Sequence, residues 1–280
     1  PGELRDVLRI DIEEELLRLE AERRVYCLRN FVSAVETVPI LVHPDPDPDA
    51  VSSAFAVRAL LERTADSMPI VTRRAITRPE NRRMTELLGI RVVEVGHDEL
   101  LAFDRIVAVD TQPGDLCVPG GPELAIIDHH PFEACRSAIL HDVRPHLGST
   151  ATMLTQYFRA MDEQRVGKVL ATALLFGIKT DTDGLTRKVT PEDVEAYAFL
   201  QERADMEVLS RLERPAYPVD AARAFGAALH RLCQQDDVVV AFAGELTPEA
   251  SHILADLADF CLGIETATWA LAAGFVADEL

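Results

Sequence analysis

The sequence predicts an α/β protein in which a doubly wound parallel sheet is followed by a smaller, apparently incomplete α/β domain. Short apolar runs alternate along the chain with longer segments of helical spacing, which is the order expected of parallel strands joined by helices. Several of the apolar runs end directly in aspartate or histidine, as strands do when they carry a site at their carboxyl ends. With 280 residues, the chain is long enough for about two domains.

The first segment, residues 1–38, has helical spacing over 3–36 and predicts one long amphipathic helix. Its apolar positions stand among acidic and basic neighbours and include Leu16, Leu17, Leu19, Val25, Leu28 and Phe31. Packing of this helix on the sheet is the simpler interpretation, and formation of a homodimer is the alternative.

Residues 39–190 are predicted to form the larger domain. Strands are expected at 39–43, 69–72, 91–95, 105–109 and 124–127, with helix-patterned segments such as 50–64 and 79–88 between them. Because the carboxyl ends of parallel strands meet at one edge of a sheet, the polar residues that follow these strands should gather there.

The rest of the chain is predicted to connect to and form the smaller domain. Residues 191–218 form the connection, with a helix over 191–213 that Thr190 and Pro191 begin and a hinge at Pro215 and Pro218. Residues 219–280 form the small unit, whose pattern predicts a helix over 219–234, a strand over 237–243, a helix over 247–260 opened by Thr247-Pro248-Glu249, and a strand over 264–276.

The composition narrows the range of partners. The formal net charge of −19 argues against long nucleic acid, because proteins that bind it usually carry a basic surface that neutralises phosphates. No stretch has the roughly 20 apolar residues of a membrane span, and no signal peptide is evident, so we expect no membrane partner. Five cysteines without paired spacing predict reduced thiols and a cytoplasmic location: Cys27, Cys117, Cys135, Cys233 and Cys261.

The most informative motif is Asp128-His129-His130, which directly follows the apolar run 124–127. Side chains at the carboxyl end of a buried strand cannot all turn into the core, so these polar groups project into the crevice above the sheet. A histidine pair at such a position also caps strands or lines surface loops, so this motif alone leaves both interpretations open.

A second motif follows the first predicted strand, where His43, Asp47 and Asp49 stand among three prolines. The prolines stiffen the loop, which lowers the entropy cost of holding carboxylates around a cation. A solvated acidic turn with Asp49 as helix N-cap is the alternative, whereas an EF-hand loop lacks its glycine and its terminal glutamate here. Asp47, Asp49 and Val51 also satisfy an aspartate-nucleophile phosphatase pattern, which leaves the later Asp-His-His motif unexplained.

Two further aspartates follow apolar segments. Asp110 comes after the apolar run 106–109, and Asp181 comes after the nearly all-apolar helical pattern 169–178. Asp110 can also start a turn before Pro113. A buried carboxylate without a partner is costly, and a metal ion is one natural partner for it.

Together, these segments resemble the DHH phosphoesterase superfamily. Its members carry a His-x-x-Pro-Asp-x-Asp-Ala loop, a lone aspartate after a strand, the Asp-His-His signature and a later Gly-x-x-x-Asp-Thr. This chain has the four motifs in that order: His43, Pro46, Asp47, Asp49 and Ala50; Asp110; Asp128, His129 and His130; Gly177, Asp181 and Thr182. The resemblance is to the bacterial branch of nanoRNA exonucleases, phosphoadenosine-phosphate phosphatases and cyclic-dinucleotide phosphodiesterases.

The resemblance implies a site for two manganese ions, with magnesium as the alternative metal. The ligands it implies are His43 and Asp47 for the first ion, Asp49, His129 and Asp181 for the second, and Asp110 as the bridge between them. His130 would face the substrate phosphate, and Asp128 would fix an imidazole by a hydrogen bond. Carboxylates and imidazoles without a thiolate suit these metals, and a metal pair activates water and clamps the attacking and leaving oxygens.

The chain departs from the family pattern in three places. Ser52 stands where the family usually has the glycine before Ser53, and Asp183-Gly184-Leu185 follows Thr182 where glycine and phenylalanine are common. The Gly-Gly-Gly-His loop of the family's C-terminal domain does not occur in the 280 residues, so we expect that domain to continue beyond Leu280.

The predicted function is hydrolysis of phosphate esters of small nucleotides or short oligonucleotides by a metal-activated hydroxide. Ser149 and Thr150 start a helix whose N–H groups can contact a phosphate, and Arg187 lies near Asp181 in the sequence, where it can touch substrate. The alternatives are a manganese-dependent pyrophosphatase or exopolyphosphatase, and a nucleotide sensor that binds without turnover.

Overall fold

The structure is a computed structural model that describes residues 2–132, 135, 138–214, 218–247, 250–251 and 253–276. The chain divides into two compact units, Pro1–Arg214 and Pro215–Leu280. The boundary between them falls within the predicted connection 191–218. The predicted hinge residue Pro215 lies outside the described residues.

The described residues of the first unit form six strands: β1 (Ile40–Leu41), β2 (Ile70–Thr72), β3 (Val92–Glu94), β4 (Arg105–Val109), β5 (Glu123–Asp128) and β6 (Ala138–Val143). They form one parallel sheet in the order β3-β2-β1-β4-β5-β6. Leu41 pairs with Val71 on one side and with Ala108 on the other, so β1 lies inside the sheet between β2 and β4. This topology confirms the predicted doubly wound α/β class.

In the part of this unit that the structure describes, eight α-helices accompany the sheet: α1 (Gly2–Ser33), α2 (Pro48–Leu60), α3 (Pro79–Leu88), α4 (His97–Leu101), α5 (Thr150–Met161), α6 (Lys168–Asp181), α7 (Pro191–Gln201) and α8 (Met206–Leu212). Two hydrophobic clusters lie on the two faces of the sheet. Ile40 and Val107 belong to one cluster, and their neighbours Leu41 and Ala108 belong to the other. Burial on both faces explains the continuous apolar runs, since each buried aliphatic side chain contributes about 1.5–3 kcal/mol.

The long N-terminal helix is present, and residues of its second half pack on the core. Val25 and Leu28 are buried, whereas Leu16, Leu17 and Leu19 are 47–62% exposed. The amphipathic pattern therefore predicted the helix but not how much of it is covered. Formation of a homodimer through this helix stays a prediction.

Two parts of the first unit differ from the sequence prediction. Strand β6 was not predicted, because its apolar run is short and is interrupted by His141 and Asp142. The helix predicted over 191–213 is two helices, because the side chain of Asp205 accepts hydrogen bonds from the N–H groups of Glu207 and Val208 and so begins α8 anew.

The second unit is a small sheet with helices on one face. It contains α9 (Val219–His230), β7 (Cys233–Gln235), β8 (Val238–Leu246), α10 (Ile253–Leu262) and β9 (Trp269–Val276), in the strand order β7-β8-β9. The predicted helix 219–234 ends earlier and gives way to β7, which pairs antiparallel with β8. Of the predicted helix start at Thr247-Pro248-Glu249, the proline and the glutamate lie outside the described residues.

The prediction that all five cysteines are reduced is wrong for two of them. Cys117, between β4 and β5, and Cys135, between β5 and β6, form a disulfide and lie 18 positions apart in the sequence. Neither the spacing of the cysteines nor a motif predicted this disulfide, because Cys117 and Cys135 lie in two different loops that meet only in the folded chain. Among the described residues, no helix is long and apolar enough to span a membrane.

We expect the Cys117→Ser, Cys135→Ser double variant to lose about 3 kcal/mol of unfolding free energy, because a bridge closing a loop of this length constrains the unfolded chain by about that amount. Denaturant titration without reductant measures the loss. The matched control is Cys233→Ser, which changes an exposed free thiol. Equal stability of the double variant and the wild-type chain would contradict this expectation.

Candidate metal centre

Six polar side chains meet at the carboxyl edge of the parallel sheet. They come from the ends of three neighbouring strands and from two helices: His43 and Asp47 after β1, Asp110 after β4, His129 after β5, Asp49 in α2 and Asp181 at the end of α6. Two sets of three ligand atoms are each compact, with all atoms of a set within 4.8 Å of one another: His43, Asp47 and Asp110 form one set, and Asp49, His129 and Asp181 form the other. The structure therefore brings together all six side chains that the sequence proposed as metal ligands.

The first set surrounds the Nε2 atom of His43. This nitrogen lies 3.7 Å from Asp47 Oδ1 and 3.8 Å from Asp110 Oδ2. The other ring nitrogen, Nδ1, lies 3.1 Å from the Pro44 carbonyl oxygen. A hydrogen bond from Nδ1–H to that carbonyl leaves Nε2 unprotonated, which is the tautomer that a metal ligand needs; this nitrogen faces the two carboxylates and accepts a long hydrogen bond from the Asp47 N–H at 3.4 Å.

The second set surrounds the Nε2 atom of His129, which lies 3.0 Å from Asp181 Oδ2. Its Nδ1 lies 3.2 Å from the Leu147 carbonyl oxygen, which again selects Nε2 as the ligand atom. His129 Nε2 is buried and has no hydrogen-bond partner of acceptable geometry among the described residues. A buried nitrogen that faces carboxylates and forms no good hydrogen bond is typical of a side chain that binds a cation.

Asp110 lies between the two sets. Its Oδ1 is 3.6 Å from His129 Nε2, while its Oδ2 faces His43. Asp110 has a φ of 56°, a left-handed conformation that aspartate tolerates better than most residues and that occurs at functional sites. This conformation places one carboxylate oxygen on each side, as a bridging ligand requires.

The position of Asp49 is fixed by the start of helix α5. Its carboxylate, which is fully buried, accepts hydrogen bonds from the N–H groups of Thr150 at 2.7 Å and Ala151 at 2.8 Å. The hydroxyl of Thr150 donates to Asp110 Oδ1 at 2.8 Å. The N–H groups at this helix N-terminus already bind the Asp49 carboxylate. Thr150, which was predicted to contact a phosphate, therefore contacts the candidate ligands Asp49 and Asp110.

Ser149 is also buried, and its hydroxyl accepts a hydrogen bond from the Thr152 N–H as the N-cap of α5. The Ser149 hydroxyl, which was predicted to contact the substrate, therefore has a hydrogen-bond partner within the fold. Asp193 supports the same turn, since its carboxylate accepts from the Gly148 N–H at 2.9 Å and from the Thr152 hydroxyl at 2.6 Å. Sequence reasoning assigned Asp193 no role, although Thr190 and Asp193 form the capping box of α7.

Asp128 and His130 form a pair beside the six ligands. His130 Nδ1 lies 2.8 Å from Asp128 Oδ1, and the amide of Gln112 donates to Asp128 Oδ2 at 2.7 Å. His130 is 55% exposed and lines a cleft of about 730 Å³ with nine lining residues: His43, Asp47, Asp110, Thr111, Gln112, Asp128, His130, Pro131 and Phe132. Sequence reasoning missed Gln112 and Phe132, which belong to no recognised motif.

Arg187 is exposed, and its guanidinium donates to the Asp181 carbonyl oxygen at 3.4 Å. The structure therefore places it next to the second set of ligands. Contact of Arg187 with a substrate stays a prediction.

The electrostatics of the site favour cations. Burial and the neighbouring carboxylates of Asp110 and Asp181 raise the pKa of Asp49 well above its usual range. Burial and the nearby Asp47 raise the pKa of Asp110 to about 7. Burial opposes protonation of His129, but the close contact of its Nε2 with the Asp181 carboxylate and the charges of Asp49 and Asp110 outweigh burial and raise its pKa to about 10. Without a metal, the site thus takes up protons in place of cations.

The donor set fits divalent metals of the manganese and magnesium class. Carboxylate oxygens and imidazole nitrogens suit these ions, and no thiolate is among the six ligands. Neighbouring ligands of one octahedral ion stand about 3 Å apart when each lies about 2.1 Å from the metal. The nitrogen–oxygen separations of 3.0–3.8 Å need only small side-chain shifts to reach that geometry.

Gly177 controls how closely α6 approaches α2 at the site. A Cβ atom at this position would collide with Ser52 Oγ and lie 3.1 Å from Asp49 Cα. We expect Gly177→Ala to lower the free energy of unfolding by about 1–3 kcal/mol, because overpacking forces the two helices apart. We also expect it to weaken metal binding by displacing Asp49.

Thermal unfolding and calorimetric titration with Mn²⁺ measure the two effects of Gly177→Ala. The matched control is Gly226→Ala in α9, where a Cβ atom would meet open space; it should be neutral or stabilising, as alanine usually is in a helix. Unchanged metal affinity in Gly177→Ala would show that Asp49 is not held by this contact.

Comparison with known proteins agrees with this geometry. Residues 37–178 match the family model described as the DHH family, N-terminal domain. An uncharacterised protein of Methanocaldococcus jannaschii is 34% identical over 242 residues, which cover 86% of this chain and 50% of that protein. The cyclic-di-AMP phosphodiesterase PdeA of Listeria monocytogenes is 24% identical over 204 residues, covering 67% of this chain and 31% of the enzyme.

One solved structure supports the fold. An exopolyphosphatase-related protein from Bacteroides fragilis superimposes with a TM-score of 0.69 at 16% identity, covering 88% of this chain and 78% of that one. The chain therefore spans most of this solved structure, but only about half the length of the archaeal relative and about a third of PdeA.

Proposed function

Because the chain belongs to the DHH family, we propose that it is a metal-dependent phosphoesterase that hydrolyses small nucleotides or short oligonucleotides. The observation that carries the proposal is the convergence of His43, Asp47, Asp49, Asp110, His129 and Asp181 beside an open cleft. Such a constellation lacks an obvious structural purpose, since four close carboxylates repel one another unless cations separate them.

In this proposal, the first ion is held by His43, Asp47 and Asp110, and the second by Asp49, His129, Asp181 and Asp110. Manganese is the proposed metal, and magnesium is the alternative with the same ligand preference. Two such ions supply an activated water and electrophilic contacts to the phosphoryl oxygens. The protein's own contribution is to fix the ligands, through the helix N-terminus at Asp49 and the carbonyl contacts of His43 and His129.

His130 is proposed to bind the substrate phosphate. The hydrogen bond with Asp128 raises the pKa of His130 and favours its charged form. With Nδ1 bound to Asp128, the Nε2–H group is left to donate to a phosphoryl oxygen or to the leaving oxygen. Gln112 holds Asp128 from the other side, so the imidazole keeps its orientation at the mouth of the cleft.

Three observations support a small nucleotide as substrate. The negative charge of the chain disfavours long nucleic acid strands. The relative PdeA is a cyclic-di-AMP phosphodiesterase, and so is a further relative, GdpP of Bacillus subtilis. Phe132, which is 59% exposed, lines the cleft next to His130 and offers a face on which a base can stack.

The experiment that tests the function is a hydrolysis assay with Mn²⁺ on cyclic dinucleotides, di- to pentanucleotides, phosphoadenosine phosphate and pyrophosphate. We expect turnover of at least one nucleotide and little turnover of pyrophosphate. Turnover of pyrophosphate alone would replace the proposal with a pyrophosphatase. Tight nucleotide binding without turnover in Mn²⁺ would indicate a sensor.

Phe132→Ala provides a test of how the base is bound. Loss of a stacking partner should lower kcat/KM for the best nucleotide by about 5-fold to 100-fold, equivalent to about 1–3 kcal/mol. The matched control is Phe260→Ala, which removes an exposed phenylalanine of the second unit. An equal loss in Phe132→Ala for a nucleotide and for a phosphate ester without a base would contradict stacking at this position.

A further inference from the structure

A second cavity lies at the opposite edge of the sheet from the metal centre. It has a volume of about 200 Å³ and is lined by Arg58, Ala65, Asp66, Pro69, Arg91 and Val93. Pro69 and Arg91 directly precede β2 and β3, so the cavity is at the amino edge of these strands. Arg58 belongs to the last turn of α2, the helix whose first turn carries Asp49.

Arg58 is buried without an adequate partner. Only 8% of the residue is exposed, and its Nη1 atom has no hydrogen-bond partner among the described residues. The ring of Phe55 lies 5.6 Å from the guanidinium carbon, which gives a cation–π contact but satisfies none of the N–H donors. A buried guanidinium presents five donors and keeps its charge, so an unsatisfied one is costly to the fold.

The charge around the cavity is positive. Two arginines and one aspartate line it, and Asp66 is exposed and makes no ion pair with either arginine within 4 Å among the described residues. Guanidinium groups recognise oxyanions through paired N–H···O bonds, and two of them at one cavity favour a phosphate-type anion over a single carboxylate. Since Asp49 and Arg58 are nine residues apart on one helix, the cavity is about 13 Å from the metal ligands along α2.

We propose that the cavity lined by Arg58 and Arg91 is a second site, distinct from the metal centre, that binds a phosphate group. The bound oxyanion accepts hydrogen bonds from the buried guanidinium of Arg58 and is closed in by the exposed Arg91. The site needs no metal and does not depend on the activity proposed for the other edge of the sheet.

Calorimetric titration of the full chain with inorganic phosphate tests the site, at constant ionic strength and with a chelator present. The chelator removes the divalent ions through which phosphate would bind at the metal centre. We expect a saturable dissociation constant of about 1 mM or tighter, weakened at least about tenfold in Arg58→Met. Arg91→Met, which changes an exposed side chain, should also weaken binding, and Arg211→Met, which changes an exposed side chain of α8, should not.

Thermal unfolding separates this site from a purely structural arginine. Without phosphate, Arg58→Met should be at least as stable as the wild-type chain, because it removes an unsatisfied buried charge. Phosphate should raise the Tm of the wild-type chain but not that of Arg58→Met. The proposal is overturned if the wild-type chain binds no phosphate, or if Arg58→Met binds it as tightly as Arg211→Met does.

Discussion

Asp110→Asn should abolish hydrolysis while leaving the chain folded. Asp110 is the one side chain with an oxygen on each side of the site, facing His43 and His129. An asparagine has nearly the same shape but offers one neutral oxygen, so both proposed ions lose a charged ligand. The expected loss in kcat/KM is on the order of 1,000-fold or more, because metal activation supplies several kcal/mol of transition-state stabilisation.

The same substitution should stabilise the metal-free chain at pH 8. Burial and the charge of Asp47 raise the pKa of Asp110, so its ionised form is unfavourable in the fold when no cation is bound. Asparagine removes that unfavourable charge. A variant that is less active but more stable without metal would identify Asp110 as a residue that serves function and lowers the stability of the metal-free fold.

The matched control for Asp110→Asn is Asp183→Asn, which changes an exposed aspartate two positions beyond Asp181. It should keep activity within a few-fold of wild type. Hydrolysis by Asp110→Asn at the wild-type rate in saturating Mn²⁺ would exclude the proposed mechanism, and Mn²⁺ titration of both variants shows whether lost activity follows lost binding.

Much of the site could be predicted from the sequence because of the topology of parallel sheets. The apolar run before Asp110 and the run before Asp128 are central strands buried on both faces. Their first polar residues must therefore appear at the carboxyl edge, where neighbouring strands also end. Once the runs were recognised as strands, the meeting of Asp110 with His129 followed from their pairing between Val109 and Ile127.

The parts that could not be predicted depend on contacts between distant segments. The amide groups of α5 bind Asp49 across about 100 positions in the sequence, and no local pattern distinguishes them from a free helix N-terminus. The role of Gln112 can be recognised only from its hydrogen bond to Asp128. The disulfide depends on β5 carrying Cys135 back toward Cys117. Local spacing thus predicted which residues meet at the candidate site, but not which residues hold them in place.

Metal should reverse the pH dependence of stability. In the metal-free fold, the pKa of Asp110 is raised from 3.8 to about 7, so the folded chain holds a proton that the unfolded chain loses near pH 4. Its stabilising contribution is complete below pH 3.8 and is lost as the pH rises through 7. The pKa of His129 is raised from 6.5 to about 10, so its contribution is lost in the same direction, between pH 6.5 and 10.

We therefore expect the unfolding free energy of the chelated chain to fall by several kcal/mol between pH 5 and 9. In saturating Mn²⁺ the trend should be opposite, because the ligands bind metal in their deprotonated forms and metal competes better with protons as the pH rises. Denaturant titrations at a series of pH values measure both slopes. Asp110→Asn should flatten the part of the metal-free curve below pH 7. Parallel slopes with and without Mn²⁺ would mean that protons and cations do not share this site, and the six side chains would then need another explanation.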